Sequence, residues 1–313
     1  MHDIIGDIHG FYDELVLLLK KLGYQNDGNS WGHPDRKVLF VGDYIDRGPK
    51  SPQVLKLVRN MVENDKAIAL MGNHELNAIL FNAEDKDGGY VRQHSLKNIK
   101  QHAQTLLQFA NLENGQKLFD EYIEWFKTLP LYFENEQIRA VHATWHHDSI
   151  KSLKGLEHKF NADPDFILNA GDEHHDLYSI TENLLKGVEL PLPDGESFLD
   201  KDDHPRYEMR IKWWKNPEQT PAQDYGFGAD LGEYDGVVAH EMFDNGWHYA
   251  DQKPVFFGHY WLSGSIELQS EYVCCLDYSI GKKDRLVAYR HNGESSLLEN
   301  NMMHVKYISD AKK

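Results

Sequence analysis

The chain has 313 residues, enough for one large domain or for a core that carries an insertion. Its 41% hydrophobic and 27% charged residues are typical of a folded globular protein, and no apolar run approaches the roughly 18 to 20 residues that span a membrane. The balance of 33 Lys and Arg against 50 Asp and Glu gives a net charge of −17, which disfavours binding to nucleic acid or to an anionic membrane surface.

Short apolar runs alternate with amphipathic segments near the start of the chain, which predicts βαβ units with buried strands. Residues 4–5 predict a strand, and residues 11–22 predict the helix that follows it. Residues 38–41 predict a second strand, followed by a helix that begins at Ser51-Pro52, where proline suits the first helical turn. Residues 67–71 predict a third strand.

The core pattern continues after a mostly helical stretch at residues 90–129. Residues 138–141 predict a further buried strand, and strand-like runs return at residues 255–257, 272–276 and 286–289.

Residues 145–250 have a different composition, rich in Asp, His, Pro and Gly and with weak helical periodicity. We therefore expect a core formed by residues 1–144 and 251–313, with residues 145–250 inserted as a cap. Residues 302–313 are expected to form a loosely held tail.

The two cysteines, Cys274 and Cys275, are adjacent in an apolar run, where they are expected to be reduced core residues. The N-terminus runs directly into strand-like sequence and does not resemble a secretion signal. We therefore expect a cytoplasmic protein.

Polar residues follow a glycine at the end of each of the three N-terminal strands, in the motifs GDIHG at 6–10, GDYIDRG at 42–48 and GNHE at 72–75. Two later strands lead to His142 and His259. Because residues beyond the carboxyl ends of strands converge at one edge of an α/β sheet, the five loops are expected to meet in one crevice. A lone Gly-Asp or His is usually structural, but five such loops favour a site for zinc, manganese or iron.

These motifs resemble the calcineurin-like metallophosphoesterases, whose pattern is GDxH, GDxxDRG, GNH(D/E) and two isolated histidines. The DRG extension is similar to the branch that contains Ser/Thr phosphoprotein phosphatases and symmetrical bis(5′-nucleosyl)-tetraphosphatases. The resemblance covers about residues 1–80, 137–144 and 253–290. It implies an α/β fold, in which central β-sheets form a sandwich flanked by helices, and a hydrolase that uses two divalent metal ions.

The resemblance also implies which residues bind the ions, with manganese favoured and iron or zinc as alternatives. The implied ligands are Asp7, His9 and Asp43 for the first ion and Asp43, Asn73, His142 and His259 for the second. His240 follows another apolar run and is an alternative to His259. Two ions bridged by Asp43 would activate a shared water as a hydroxide nucleophile and hold the phosphoryl oxygens. Other histidines lack this strand context and are expected in solvated loops: His146, His147, His174, His175, His204 and His248.

Three further residues carry catalytic roles by the same resemblance. His74 would protonate the leaving oxygen, Asp46 would orient His74, and Arg47 would bind the phosphate. The alternatives are a surface ion pair between Asp46 and Arg47, and His74 as a metal ligand.

One departure from the phosphoprotein phosphatases concerns Met71, which precedes GNHE where those enzymes tend to carry a second phosphate-binding arginine. In the cap, Arg210 belongs to a basic and aromatic cluster and is the candidate to replace that arginine; the alternative is a solvated strand face. A second departure is the loop after His259, residues 260–264, which lacks the second histidine that many members of the superfamily use to bind the first metal.

We expect a phosphohydrolase that cleaves phosphoester or phosphoanhydride bonds in a small phosphorylated metabolite. The loop after His259 resembles symmetrical tetraphosphatases and favours a nucleoside polyphosphate such as diadenosine tetraphosphate. A phosphoprotein phosphatase is the alternative enzyme, and a metal-stabilised scaffold is the alternative without turnover. Neither a membrane nor a stable nucleic-acid partner is expected, and the sequence leaves the oligomeric state open.

Overall fold

The centre of the molecule contains two β-sheets, described by a computed structural model that covers residues 1–156, 163–199, 205–228, 236–243 and 246–308. The helices and strands of the first part are β1 (His2–Ile5), α1 (Tyr12–Lys21), β2 (Gln25–Asn26), β3 (Trp31–Gly32), β4 (Lys37–Phe40), α2 (Ser51–Glu63), β5 (Ala67–Ala69), α3 (Asn73–Asn82), α4 (Leu96–Ala110), α5 (Gly115–Phe126), β6 (Tyr132–Glu134) and β7 (Arg139–Val141).

The remaining elements lie in the predicted cap and in the C-terminal part of the core. They are α6 (His147–Leu153), α7 (Pro164–Gly171), α8 (Asp176–Leu185), β8 (Glu189–Pro191), β9 (Phe198–Leu199), β10 (Pro205–Arg206), β11 (Glu208–Arg210), α9 (Ala222–Tyr225), α10 (Ala239–Met242), β12 (Val255–Phe257), β13 (Val273–Cys275), β14 (Arg285–His291) and β15 (Met302–Lys306).

One sheet has the strand order β15-β14-β1-β4-β5, and the other has the order β13-β12-β7-β6. Strands β1, β4 and β5 run parallel, as do β7, β12 and β13. The predicted α/β fold is therefore confirmed, although the five motif loops come from two sheets and not from one. The predicted tail was wrong for residues 302–306, which form β15 and pair with β14.

Side chains on alternate strand positions belong to two hydrophobic clusters. Ile4 and Phe256 come from different sheets but lie in one cluster, which fills the space between the sheets. Ile5 and Phe257 belong to the other cluster, together with the buried faces of the helices. This alternation follows from the opposite directions of successive side chains in a strand, and it explains why the core strands are apolar on both faces.

Cys274 and Cys275 follow the same rule on β13. Cys274 lies between the sheets, and Cys275 faces the helix-side cluster. Both are fully buried and are free thiols. The predicted core role of the pair is therefore confirmed.

Helix α1 shows why the helices pack as they do. Leu15, Leu18 and Leu19 are fully buried and lie at the spacing of one helical face. Its acidic first turn and basic last turn also complement the helix dipole. Helix α1 consequently covers the five-stranded sheet at strands β14 and β15.

The chain leaves the sheets after Val141 and returns at Val255, although β7 and β12 are neighbours. The segment between them packs closely on the core. Trp213 is fully buried, its Nε1 donates a hydrogen bond to the carbonyl of Ala143 (3.1 Å), and its ring centroid lies 4.8 Å from that of Phe257. The division of the chain into a core and a cap of residues 145–250 stays a prediction. Among the residues described, no helix has the length and apolar character needed to cross a membrane.

Candidate metal centre and active site

The five predicted loops meet where β1, β4 and β5 of one sheet and β7 and β12 of the other end. Within the described part of the chain, two groups of potential ligand atoms lie within 4.8 Å of one another: His9, Asp43 and His74, and Asp43, His142 and His259. Asp43 belongs to both groups, as expected for a bridging ligand.

The two carboxylate oxygens of Asp43 face different histidines. Oδ2 lies 3.5 Å from His9 Nε2 and 3.9 Å from His74 Nε2, whereas Oδ1 lies 3.4 Å from His142 Nε2. Burial opposes ionisation, but the surrounding histidines lower the pKa of Asp43 to about 2. The side chain is thus a carboxylate at neutral pH, with one oxygen available to each side.

The contact between Asn73 and His142 is compatible with a bound cation. Nδ1 of His142 lies 2.8 Å from the carbonyl of Val41, and because a carbonyl only accepts, Nδ1 carries the proton. Nε2 of a neutral His142 is therefore an acceptor, yet it lies 3.0 Å from the amide oxygen of Asn73, which also accepts. The same amide oxygen lies 2.8 Å from Nδ1 of His259, which donates to it when the lone pair of His259 is on Nε2. The facing lone pairs of His142 and Asn73 repel, and a divalent cation between them would remove the repulsion.

His9 and His259 provide a second test of the fit to metal. Nε2 of each is buried and has no hydrogen-bond partner among the described residues. Burial lowers the pKa of His9 to about 3 and the pKa of His259 well below its ordinary value, so both imidazoles are neutral. Neutral imidazole with a free lone pair is the form that binds metal. The nitrogen and oxygen donors present therefore fit the predicted ions.

Asp7 lies beside these groups and not within them. Its carboxylate accepts a hydrogen bond from the backbone N–H of His259 (3.1 Å). Burial, together with the nearby Asp277 and Asp43, raises the pKa of Asp7 well above its ordinary value. A divalent cation would relieve the repulsion among these three carboxylates. Asp277 was not predicted as part of the site, and it accepts hydrogen bonds from the backbone N–H groups of Trp261 (2.8 Å) and Ser279 (2.9 Å).

His74 and Asp46 form a buried hydrogen-bonded pair, with 2.5 Å between Nδ1 of His74 and Oδ2 of Asp46. Burial alone would lower the pKa of His74, but Asp43 and the bond to Asp46 raise it above its ordinary value. Burial likewise opposes the charge on Asp46, but hydrogen bonds from His102 and His74 lower its pKa. Asp46 is engaged by histidines and is 3% exposed, which excludes a surface pair with Arg47. His74 also belongs to a potential ligand group, so its role as a ligand stays an alternative.

The loops that carry these side chains adopt unusual backbone conformations. Several residues of the site have left-handed φ angles, which non-glycine residues rarely adopt: His9 (47°), Asp43 (55°), Asp46 (67°), Arg47 (63°) and His259 (68°). Strain of this kind concentrates at functional sites, because the surrounding structure must hold it in place. The motif glycines have a different role, since a Cβ at Gly72 would lie 2.3 Å from the backbone nitrogen of Asp43.

Arg47 is exposed at the rim of the centre, and its Cζ lies 5.5 Å from the centroid of the Trp261 ring. Arg210 reaches the same region from the cap, and its charge lowers the pKa of His259 after the larger effect of burial. Its side chain is 19% exposed, pairs with Glu189 at 3.2 Å, and leaves a buried Nε without a partner among the described residues. Arg210 is thus partly buried, and its role in substrate binding stays a prediction beside the alternative of a solvated strand face.

The structure does not bring His240 to the centre, because it is exposed on α10. His146 and His175 precede helices α6 and α8 and accept hydrogen bonds from their backbone N–H groups. His204 lies outside the described residues.

The sequence analysis missed two residues that support Asp46. His102 and Thr105, both on α4, hydrogen-bond Oδ1 of Asp46 at 2.9 and 2.7 Å. Their spacing of three residues puts two polar side chains on one face of an amphipathic helix, and that was the available signal. Glu75 was also missed as a structural residue, since its carboxylate accepts hydrogen bonds from three backbone N–H groups of the motif loops.

The fold and this centre define a metallophosphoesterase. The family model for calcineurin-like phosphoesterases matches residues 3–260, and the chain belongs to this family. The resemblance predicted from the motifs is therefore confirmed.

Among curated proteins, the chain is 35% identical over 153 residues to the asymmetrical bis(5′-nucleosyl)-tetraphosphatase PrpE of Halalkalibacterium halodurans, covering 48% of this chain and 59% of that protein. It is 55% identical over 73 residues to the PrpE of a Geobacillus species, covering 23% of this chain and 30% of the relative. The matches thus span little more than half of these relatives at most. The names of these relatives specify the asymmetrical enzyme, whereas the sequence motifs predicted a similarity to the symmetrical enzyme.

Among solved structures, the chain is similar to a cold-active protein-tyrosine phosphatase of a psychrophilic Shewanella species. The TM-score is 0.50 at 19% identity, over 93% of this chain and 75% of the other. This similarity concerns the fold.

Proposed function

We propose that this protein is a metal-dependent phosphohydrolase that cleaves phosphoanhydride bonds in nucleoside polyphosphates. The observation that carries the proposal is the pair of facing acceptors, Asn73 and His142, beside a carboxylate of Asp43 whose two oxygens serve different histidines. Such an arrangement is costly without cations and suits two of them.

In this proposal two ions bind, one toward His9, Asp43 and Asp7, the other toward Asp43, Asn73, His142 and His259. Manganese is the ion favoured by the family resemblance, with iron or zinc as alternatives, and all three suit donors that are oxygens and imidazole nitrogens without thiolate. When bound, the ions supply an activated water and hold the phosphoryl oxygens. The remaining steps belong to the side chains of the protein.

His74 is the proposed general acid. Its Nδ1 is occupied by Asp46, so Nε2 is the atom that delivers a proton to the leaving oxygen. The raised pKa of His74 supports this role, because the imidazolium must exist near neutral pH. Arg47 is proposed to bind a non-bridging phosphoryl oxygen with its exposed guanidinium, and Arg210 to approach the same substrate from the cap.

The substrate class rests on the relatives named as bis(5′-nucleosyl)-tetraphosphatases. A phosphoprotein phosphatase is the second candidate, supported by the GNHE motif that such enzymes share. The net charge of −17 would repel acidic phosphopeptides at long range, but it would also repel a polyanionic nucleotide, so it does not separate the two candidates. The buried free thiols Cys274 and Cys275 are compatible with a reducing compartment, and we propose the cytoplasm.

The test uses purified protein depleted of metal and then supplied with manganese. Turnover of diadenosine tetraphosphate, p-nitrophenyl phosphate and a phosphoserine peptide is measured with and without the ion. The proposal expects manganese-dependent hydrolysis with the dinucleotide as the preferred substrate. Preference for the phosphopeptide would favour the second candidate, and inertness on all three despite bound metal would favour a scaffold.

A further inference from the structure

Two cations and an aromatic ring lie together beside the candidate metal centre. Cζ of Arg47 lies 5.5 Å, and Nζ of Lys282 lies 4.7 Å, from the centroid of the Trp261 ring. The same ring centroid is 6.3 Å from that of His259, a proposed ligand. Of these three residues, only Arg47 has a role in the proposed mechanism. The group therefore extends beyond the part of the centre that the mechanism uses.

The loop that carries Lys282 is fixed against the centre. Ser279 and Lys283 on either side have left-handed φ angles of 59° and 66°. Between them, a Cβ added to Gly281 would lie 2.8 Å from Cδ of Arg47 and 3.1 Å from Cδ2 of His9. The backbone therefore touches both residues, and the exposed Lys282 is anchored next to Arg47.

We propose that Arg47, Trp261 and Lys282 form a subsite for a chain of phosphates that continues beyond the phosphate held at the metal centre. This inference rests on the proposed function and specifies how the site would separate polyphosphates from monoesters. A monoester carries no charge beyond its reacting phosphate, whereas a polyphosphate presents further anionic groups to the two cations. The indole ring holds these cations in place through cation–π contacts. In a chain with a net charge of −17, such a local positive group is needed to retain a polyanion.

The experiment measures binding by titration calorimetry, so that it does not depend on turnover. Orthophosphate and the non-hydrolysable imido analogues of tripolyphosphate and ATP, called tripolyphosphate and ATP below, are titrated into manganese-loaded protein at a fixed free manganese concentration. The variant is Lys282→Met, and the matched control is Lys283→Met, whose Nζ lies instead over the Tyr307 ring at 5.3 Å.

Wild-type protein should bind tripolyphosphate more tightly than orthophosphate. Lys282→Met should reduce this preference by about 10-fold or more, the effect of losing one hydrogen bond to a charged group, and the control should keep it. An equal preference in wild type and Lys282→Met, or an equal loss in the control, would overturn the subsite. Those results leave the proposed function intact if metal-dependent turnover persists. ATP binding tighter than tripolyphosphate would add a nucleoside contact to the subsite.

A second and independent observation concerns Asp46, whose carboxylate is hydrogen-bonded by two residues on one turn of α4. Nδ1 of His102 lies 2.9 Å from Oδ1 of Asp46, and the Thr105 hydroxyl donates to the same oxygen at 2.7 Å. The Thr105 hydroxyl also accepts from the backbone N–H of Asp46 at 2.9 Å. His102 is 5% exposed, so these bonds are shielded from water.

We infer that His102 is a positioning residue for the reaction. With Oδ1 occupied by His102 and Thr105, only Oδ2 remains for His74, which fixes the rotation of the Asp46 carboxylate. His74 is then held in the tautomer and direction that proton delivery from Nε2 requires. This inference also depends on the acid role in the proposed function.

Three substitutions separate positioning from packing. His102→Leu keeps apolar volume and removes the donor, whereas His102→Asn is smaller but keeps an N–H donor near the position of Nδ1. His94→Leu is the control, because His94 stacks on Phe81 at 3.8 Å and hydrogen-bonds its carbonyl at 2.8 Å. Each is measured with phenyl phosphate and p-nitrophenyl phosphate, alone and combined with His74→Asn.

If His102 is a positioning residue, His102→Leu should lower kcat for phenyl phosphate by about 10-fold and leave KM unchanged. The decrease in kcat should be smaller for p-nitrophenyl phosphate. His102→Asn should retain most activity, and neither change should matter once His74 is Asn. A greater loss of kcat in His102→Asn than in His102→Leu would overturn the inference. A loss of kcat that adds to the loss caused by His74→Asn would also overturn it. If His102→Leu does not fold, Thr105→Val removes the other hydrogen bond to Oδ1 of Asp46. It is then measured alone and combined with His74→Asn. If His74→Asn itself reduces turnover of phenyl phosphate and p-nitrophenyl phosphate equally, that result would instead count against the acid role.

Discussion

Glu75 holds Asp43 through the backbone, with Oε2 accepting the Asp43 N–H at 2.9 Å. The same oxygen accepts the N–H of Gly72 at 3.0 Å, and Oε1 accepts that of Tyr44 at 2.9 Å. The last residue of GNHE therefore ties its own loop to the GDYIDRG loop. The left-handed conformation of Asp43 is maintained by these bonds, and not by the local sequence alone.

Replacing Glu75 with Gln should destabilise the protein by about 1–3 kcal/mol, because an amide offers one acceptor where the carboxylate offers two and leaves a buried N–H without a partner. Urea unfolding of the metal-free protein at pH 9 measures the change, because burial and the neighbouring Asp43 raise the pKa of Glu75 to about 8 and the carboxylate forms above that pH. Glu136→Gln, at an exposed position, is the control. Equal stability of the two variants would show that the bonds to Glu75 are replaceable.

Replacing Asp43 with Asn should abolish turnover and release metal, since the charged oxygens that face both histidine groups are lost. Elemental analysis of the variant after gel filtration provides the measurement, with wild-type protein treated in parallel. Retention of two metal ions per chain would identify another residue as the bridge.

Replacing His74 with Asn should leave the metal content nearly intact and reduce turnover by roughly 10²- to 10⁴-fold on substrates with poor leaving groups, the usual contribution of a general acid. The loss should be smaller for p-nitrophenyl phosphate, whose leaving group hardly needs a proton. The measurement is steady-state kinetics on both substrates, together with elemental analysis of the bound metal. Equal losses on both, or loss of an ion, would support the role of His74 as a ligand.

Replacing Arg210 with Ala should lower kcat/KM for a nucleoside polyphosphate by about 10- to 150-fold, corresponding to about 1.5–3 kcal/mol for a hydrogen bond to a charged group. Because Arg210 packs near Tyr260 and Gly187, some loss of stability is also expected. Arg206→Ala, on the exposed strand β10, is the control. If kcat/KM is unchanged while stability falls, Arg210 supports the cap and does not bind the substrate.

The motif side chains could be predicted from sequence because glycine marks the points where apolar strands end. Asp43, His142 and His259 therefore came together as expected. The assignment of strands to two sheets could not be predicted, because strands such as β4 and β12 are apolar on both faces and carry no sign of which partner they join.

The supporting contacts were harder to predict because they join distant parts of the chain. His102 meets Asp46 only after α4 packs behind the GDYIDRG loop, and nothing local to His102 indicates that partner. Strand β15 was missed for a related reason. Its residues alternate little in polarity, and its pairing with β14 is what defines it.

The two neighbouring thiols of β13 face opposite layers of the molecule, so each can report on the opening of a different layer. A thiol reagent reaches Cys274 only when the two sheets separate, and reaches Cys275 only when the helix-side layer opens. The Sγ atom of Cys275 also lies 3.8 Å from the carbonyl of Gly258, directly before His259. Labelling rates resolved by mass spectrometry would thus time the loosening of the metal-site loop separately from that of the sandwich interior.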